Sequence, residues 1–266
     1  MKKLLLALTA LAAMSGSALA ADMARPYTKA PAPIAPIYNW TGFYIFGGAG
    51  GGLWNADSNV VNDTSGIFGA PGVAQTRDQR LGGSGWFGTV GAGYDWQFAG
   101  TWVAGVFADG QFGEIKGSLS DPAFGIEGTE KLRTSYAAGA RIGYLVAPNV
   151  LSYVNAGYSG SQWSGTTLTT LAAGGGAGFA TTSSFHRNGW FVGGGVENNL
   201  DIFGINIPGL FMKTEYRSAF YDRVTLPQTF VGGGPTGDAV TFKSWNQTIS
   251  TSLVYRFNWG GPVARY

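Results

Sequence analysis

The chain combines few charged side chains with no apolar segment long enough to cross a membrane as a helix. Charged residues make up 12% of the 266 residues, against roughly 25% in typical soluble domains. Beyond residue 20, no apolar run reaches the ~20 residues that a transmembrane helix needs. A closed β-barrel is the other structure that satisfies every backbone polar group in lipid. We therefore predict an all-β membrane barrel.

The first twenty residues have the pattern of a secretory signal peptide. Lys2 and Lys3 form a basic start, an apolar stretch follows, and Ala18 and Ala20 form a cleavage site before Ala21. Residues 21–39 hold four prolines and are predicted to be an extended periplasmic linker. The chain is therefore predicted to be exported.

The charge balance and the absence of cysteine exclude several kinds of function. Without Lys2 and Lys3, the 17 basic residues fall to 15, which equals the 15 acidic residues. A neutral chain gives no support for nucleic acid as a partner. With no cysteine, disulfides, thiolate metal sites and thiol redox chemistry are also excluded.

Eight extended runs follow from residue 40, and most alternate apolar with small or polar side chains, as strands do between lipid and a polar lumen. The runs are 41–54, 84–98, 101–116, 131–146, 150–160, 187–200, 210–226 and 242–259. The alternation predicts that Leu132 faces lipid and Arg133 faces the lumen. The predicted fold is an eight-stranded antiparallel up-and-down transmembrane barrel over residues 40–259, with 260–266 as a tail.

The connections between the runs alternate between short and long. The short ones, predicted at 99–100, 147–149 and 201–209, would face the periplasm. The long ones, predicted at 55–83, 117–130, 161–186 and 227–241, would be four extracellular loops. Because most of the runs exceed the 9–11 residues that a tilted strand needs, the barrel should also extend beyond the membrane.

Short motifs along the chain resemble one family. They are Trp40-Thr41-Gly42-Phe43-Tyr44, Gly93-Tyr94-Asp95-Trp96-Gln97, Arg141-Ile142-Gly143-Tyr144, Gly193-Gly194-Gly195-Val196-Glu197, Glu215-Tyr216-Arg217 and Tyr255-Arg256-Phe257-Asn258-Trp259. In this order they resemble the alphaproteobacterial eight-stranded outer-membrane proteins, often labelled porin-family or opacity-like. The resemblance implies a monomeric, non-enzymatic barrel in the outer membrane; some relatives are associated with haem binding or host contact.

The last run carries the expected assembly signal. Tyr255 and Phe257 form an aromatic-x-aromatic pair preceded by Ser252, where the family pattern has glycine, and the chain continues to residue 266. We expect this strand to be recognised by the barrel-assembly machinery. Expected partners are this machinery, outer-membrane lipid and lipopolysaccharide, and no cofactor is predicted.

Six charged residues fall on the predicted lumen faces: Asp109, Arg141, Glu197, Lys213, Glu215 and Arg217. In so narrow a barrel, charges must pair or hold water. Two interpretations stay open: a paired network that closes the lumen, or an ion path that opens when pairs exchange.

His186 is the only histidine and lies near Ser183 and Ser184 at a predicted loop end. A hydrolase would also need a positioned carboxylate, and a single axial haem ligand is the other alternative. Glycine-rich stretches lack the Gly-Lys-Ser/Thr ending of a phosphate-binding loop. Arg77 and Arg80 could meet lipopolysaccharide phosphates, although Asp78 lies between them.

The leading hypothesis is a structural outer-membrane barrel that presents four loops. The alternatives are a small-solute or ion pore, a loop-based haem receptor or adhesin, and a soluble lipocalin-like barrel. The charge deficit and the loop asymmetry disfavour the last of these.

Overall fold

The computed structural model describes residues 38–171, 176–205 and 207–257. The predicted signal peptide with Ala18, Ala20 and Ala21, most of the linker, and the tail lie outside the described residues. The strands are β1 (Gly42–Asn62), β2 (Gln79–Phe98), β3 (Trp102–Asp121), β4 (Ile126–Ala147), β5 (Val150–Trp163), β6 (Thr166–Thr170), β7 (Gly178–Thr182), β8 (Phe185–Asn199), β9 (Leu210–Tyr221), β10 (Val224–Phe230) and β11 (Pro235–Phe257).

Eight of these strands form a closed antiparallel ring in the order β1-β2-β3-β4-β5-β8-β9-β11. β1 and β11 close it over twenty consecutive pairs, from Phe43 opposite Phe257 to Asn62 opposite Asp238. Closure leaves no strand edge exposed to lipid. The prediction of an eight-stranded antiparallel barrel is confirmed.

One end of the barrel, called proximal here, has the shorter connections. They cover residues 99–101, 148–149 and 200–209, and the last contains a 3-10 helix at Leu200–Phe203. The predicted short connections therefore agree with the structure to within a residue or two. Among the described residues, no helix is long and apolar enough to cross a membrane.

At the opposite, distal end the strands run well beyond the predicted boundaries. Three short strands extend three long ones beyond a break of two residues: β6 extends β5 (break at 164–165), β7 extends β8 (183–184) and β10 extends β9 (222–223). The ring at this end therefore has the order β1-β2-β3-β4-β6-β7-β10-β11. Much of the sequence predicted as loops is therefore strand. The actual distal connections are 63–78, 122–125, 171–177 and 231–234.

The loop boundaries were wrong because the outer face changes polarity along a continuous strand. On β1, Phe43, Ile45 and Leu53 are exposed and apolar, and beyond them Asn55 and Asp57 take the outer positions. Polar residues on the outer face of a strand therefore show that this part of the strand faces water instead of lipid. They do not mark the end of the strand.

Two rings of exposed aromatic side chains bound the apolar outer face. The proximal girdle contains Phe43, Tyr94, Trp96, Phe98, Trp102, Tyr144 and Tyr255, and the distal girdle contains Trp86, Phe112, Tyr136, Tyr158, Trp190 and Phe220. On β2 the rings are ten residues apart, from Trp86 to Trp96. At roughly 3.4 Å per residue and a tilt near 40°, this spans about 26 Å, the height of a lipid-facing band.

A β-bulge corrects the predicted orientation of two neighbouring residues. The register between β4 and β5 shifts between Leu132 and Thr134. Leu132 is consequently buried and Arg133 exposed, the reverse of the prediction. One extra residue moves all side chains beyond it to the other face.

Candidate functional site

The proximal half of the lumen brings together the six charged residues singled out in the sequence. Asp109, Arg141, Glu197, Lys213, Glu215 and Arg217 are all buried. They form two separate ion clusters, and each cluster joins strands from different parts of the ring.

The first ion cluster consists of Asp95, Arg141, Glu197 and Arg256. Arg141 Nη2 lies 2.6 Å from Asp95 Oδ2 and its Nη1 lies 3.1 Å from Glu197 Oε2. Arg256 Nη2 lies 2.8 Å from Asp95 Oδ2 and 2.7 Å from Glu197 Oε1. Two carboxylates thus alternate with two guanidiniums.

Sequence reasoning omitted two members of this cluster. Asp95 and Arg256 stand in the family motifs quoted above but were not among the six predicted lumen charges. The signal for Arg256 was its position between Tyr255 and Phe257, since alternation then points it into the lumen.

The second ion cluster consists of Asp109, Lys213, Glu215 and Arg217. Arg217 Nη2 lies 2.6 Å from Asp109 Oδ2 and 2.7 Å from Glu215 Oε1, and Lys213 Nζ lies 3.7 Å from Glu215 Oε2. The Tyr153 hydroxyl donates to Glu215 at 2.8 Å. Asp109 and Arg141, expected to share a network, belong to different clusters because Arg141 is opposite Gly105 and Asp109 opposite Ala137.

Aromatic rings pack over the buried cations. Arg141 lies 4.5 Å from the centre of the Tyr44 ring, Lys213 3.3 Å from Phe46, and Arg256 4.5 Å from Trp40. Cation–π contacts are strongest where water is excluded. The rings therefore fill space between the strands and also stabilise the charges.

Glycines on the lumen face make room for these groups. A Cβ at Gly93 would overlap the Tyr44 ring, and one at Gly105 would overlap the Asp95 carboxylate. Only a residue without a side chain allows the ring and the ion cluster to occupy this narrow interior.

Above the ion clusters lies a polar layer. Gln111, Ser135, Ser159, Asn246 and Thr248 line a cavity of about 10 Å³ together with Arg217, Ala219 and Tyr221. A cavity of this size holds roughly one water molecule.

The distal half of the lumen holds a second set of buried side chains, here called the distal core. Its residues are Trp54, Ala56, Leu81, Phe87, Ile115, Leu119, Ile126, Leu132, Trp163, Leu168, Ala180, Val224, Leu226, Val240 and Phe242. Trp54 Nε1 donates to the Ile115 carbonyl at 3.1 Å, so its polar atom is satisfied. The interior there is mainly apolar and the outer face is polar, as in a water-soluble barrel.

Several buried carboxyls in this distal part lack a cationic partner among the described residues: Asp63, Asp121, Glu130 and Asp238. Glu130 on β4 is fully buried, and Thr166 Oγ1 of β6 donates to its Oε2 at 2.8 Å. Burial raises the pKa of Glu130 to about 7, and the hydrogen bonds from Thr166 and the Lys131 backbone offset only part of this.

His186 is exposed on β8 and borders a pocket of about 260 Å³ that is also lined by Gln162, Trp163, Ser184 and Phe185. Among the described residues, no hydrogen bond joins His186 to a serine or a carboxylate, and no group of three His, Asp or Glu residues is arranged to hold a metal ion. Arg80 lies 3.4 Å from Asp57 and packs over the Trp245 ring, while Arg77 is an exposed loop residue.

The expected assembly residues lie on β11 near its proximal end. Tyr255 is exposed on the outer face and packs edge-on against Phe257, with ring centres 4.9 Å apart. Ser252 is buried opposite Gly48, which has no room for a Cβ.

No protein-family model matches the chain. The 31 kDa outer-membrane immunogenic protein of Brucella melitensis is 31% identical over 205 residues, which cover 74% of this chain and 80% of that protein, and the protein of the same name from Brucella suis gives the same figures. The chain belongs to the outer-membrane immunogenic protein family. The family assignment places it in the outer membrane of the Gram-negative envelope, and both the predicted location and the predicted family are confirmed.

Two solved barrels are also similar to this family member. The outer membrane protein OprG from Pseudomonas aeruginosa is 10% identical, with a TM-score of 0.43, over 82% of this chain and 98% of its own. The outer membrane protease OmpT from Escherichia coli is 9% identical, with a TM-score of 0.42, over 81% and 97%.

Proposed function

We propose that this protein is a structural component of the outer membrane whose lumen is closed to solutes and whose distal connections face the cell exterior. It acts as a monomer, holds no cofactor, catalyses no reaction and is inserted by the barrel-assembly machinery. Lipid and lipopolysaccharide surround its apolar band.

The observation that carries this proposal is the filling of the lumen at two levels. Proximally, eight charged side chains are buried in ion pairs and covered by aromatic rings. Distally, the lumen is occupied by the distal core, in which Trp54, Trp163 and Phe242 pack at ring distances of 5.1–5.5 Å. A hydrated ion crossing the barrel would have to separate both layers.

Conductance in planar lipid bilayers tests the closed lumen. We expect the refolded protein to give no discrete current steps under conditions in which an open trimeric porin gives them, because the proximal charges are paired and the distal core fills the rest of the lumen. Folding is verified beforehand by the shift in gel mobility on heating. Reproducible steps from the folded protein would instead establish the ion-pore alternative.

Non-enzymatic behaviour is supported by the surroundings of the single histidine. His186 lies on the outer surface beside the pocket rather than against a paired serine and carboxylate. The charged clusters hold no histidine and are sealed from substrate by burial.

A loop-based receptor or adhesin is a second candidate function, favoured by exposed apolar residues on the distal connections. Ile67, Phe68, Val73, Leu171 and Val231 each expose more than half of their surface. Exposed apolar side chains at this end are available for contact with a partner, and interaction sites form where such side chains are contiguous. Because these residues lie apart from the lumen, this role is compatible with a closed barrel.

A further inference from the structure

The wall of the barrel loses its backbone pairing at one place. β7 pairs with β10 up to Thr182 and Gln228, and β8 pairs with β9 from Gly189 and Tyr221 onward. Between these pairs, only a 3.5 Å hydrogen bond from the Asp222 amide to the Asn188 carbonyl is formed. Residues 183–187 and 223–227, all described in the structure, therefore face each other without a ladder; we call this the lateral gap.

The lateral gap is cationic at its edges and apolar at its floor. Arg187 lies on one edge and alternates onto the lumen face of β8, the face of the buried Phe191, and its Nε is buried without a hydrogen-bond partner among the described residues. Arg223, exposed on the other edge, donates from Nη1 to Thr241 at 3.3 Å. The floor includes Phe185, stacked on Trp163 at 5.8 Å.

The gap begins directly above the distal aromatic girdle. Trp190 and Phe220 stack with ring centres 4.6 Å apart, one residue from the pairs at which the ladder ends. His186 lies four residues beyond Trp190, about 10 Å higher at roughly 3.4 Å per residue and a tilt near 40°. This height corresponds to the headgroup layer of the leaflet.

We propose that the lateral gap binds an outer-leaflet lipid with a phosphate headgroup, which enters sideways from the bilayer. Arg223 holds the phosphate from the outer edge of the gap and Arg187 from its lumen side, and the exposed Trp190–Phe220 pair supports the first part of an acyl chain. Guanidinium groups suit phosphate because they offer several donors in a fixed plane. Asp222 lies at the end of the gap next to the distal girdle. Its negative charge would repel a phosphate there, so the phosphate is expected farther from the girdle.

This inference rests on the proposed placement of the distal girdle at the outer leaflet but not on a closed lumen. Lipid binding and conductance are measured separately, so one can fail without the other.

A fluorescent label at Ser184→Cys tests the site, since the full chain has no other cysteine. The labelled protein is placed in phosphatidylcholine vesicles with increasing fractions of phosphatidic acid. We expect a saturable change in emission that Arg187→Gln/Arg223→Gln weakens about ten-fold, the loss expected for charge-assisted contacts to phosphate. Arg187→Lys/Arg223→Lys, which keeps the charges, should retain most of the response and verifies folding.

The matched control is Lys116→Gln/Lys131→Gln, which removes two cations from the paired wall formed by β3 and β4. It should leave the response unchanged, and a label at Ser118→Cys should report no saturation. Equal weakening by both glutamine pairs would mean diffuse surface attraction and would overturn the proposal. A response to soluble glycerol phosphate at the same concentration, or no response to phosphatidic acid, would overturn it as well.

Discussion

At the scale of single residues, the sequence predicts which charged side chains point into the lumen but not which of them form ion pairs. Strict alternation put Asp109, Arg141 and Glu197 on inward faces, and these residues are buried. Their partners were not predictable, because pairing depends on the stagger between strands. Arg141 reaches Asp95 on β2 and Glu197 on β8, neither of which is opposite it on a neighbouring strand.

Replacing Arg141 should be costly because it leaves two buried carboxylates sharing one guanidinium. We expect Arg141→Ala to lower the free energy of unfolding by about 3–5 kcal/mol, the usual loss when one member of a buried ion pair is removed. Unfolding by guanidinium chloride in detergent micelles measures this free energy. The matched control is Arg133→Ala, an exposed arginine on the same strand, which should cost less than about 1 kcal/mol. Equal effects of the two substitutions would argue that water reaches the first ion cluster.

At the scale of elements, the strands were predicted well where they face lipid and poorly where they face water. Apolar residues at every second position define the strand between the girdles. Beyond the distal girdle, the pattern inverts on β1, with Trp54 and Ala56 inside and Asn55 and Asp57 outside. The bulge at Arg133 was equally invisible, because no local residue pattern requires it.

Glu130 should make the attachment of β6 to β4 depend on pH. Its pKa in the folded protein, about 7, lies above the ordinary value of 4.5. The folded state therefore binds the proton more tightly, and this stabilisation is complete below pH 4.5 and is lost as the pH rises through 7. The shift corresponds to about 3 kcal/mol. We expect Glu130→Gln to stabilise the barrel at pH 8 but not at pH 4.5, as measured by denaturant midpoints.

The partly exposed Glu127 on the same strand offers the comparison. Glu127→Gln should leave the pH dependence as it is. If Glu130→Gln also leaves it unchanged, the carboxyl is charged in the folded barrel and another group compensates it.

At the scale of the whole molecule, β11 is the strand that makes the barrel closed. It pairs with β1 along nearly its whole length and also with β9 and β10. The last strand could be predicted from its aromatic alternation. The length of the pairing between β1 and β11 could not be predicted, since about half of it lies in the water-exposed part of the barrel.

Phe257→Asp should sharply reduce the amount of folded protein in the outer membrane. Near the interface the lipid-contact penalty is only about 0–1 kcal/mol, so the loss would come mainly from recognition of the last strand. Phe98→Asp changes an aromatic residue of the proximal girdle on β2 and should be tolerated better. Deleting residues 261–266 should have little effect. Heat-modifiability of membrane fractions gives the folded amount; similar amounts for both aspartate variants would show that β11 is not specially recognised.

The inverted polarity of the distal barrel has a consequence for the direction of insertion. Its core draws side chains from strands on both sides of the β1–β11 seam, including Trp54 and Phe242. With the distal end outside the cell, as proposed above, that core would be complete only after the distal segments have crossed the bilayer and β1 has paired with β11. Retreat of any hairpin would then return buried rings to water and carry outward charges such as Lys116 and Asp57 back through hydrocarbon. The distal barrel should therefore prevent inserted hairpins from withdrawing and so make insertion irreversible.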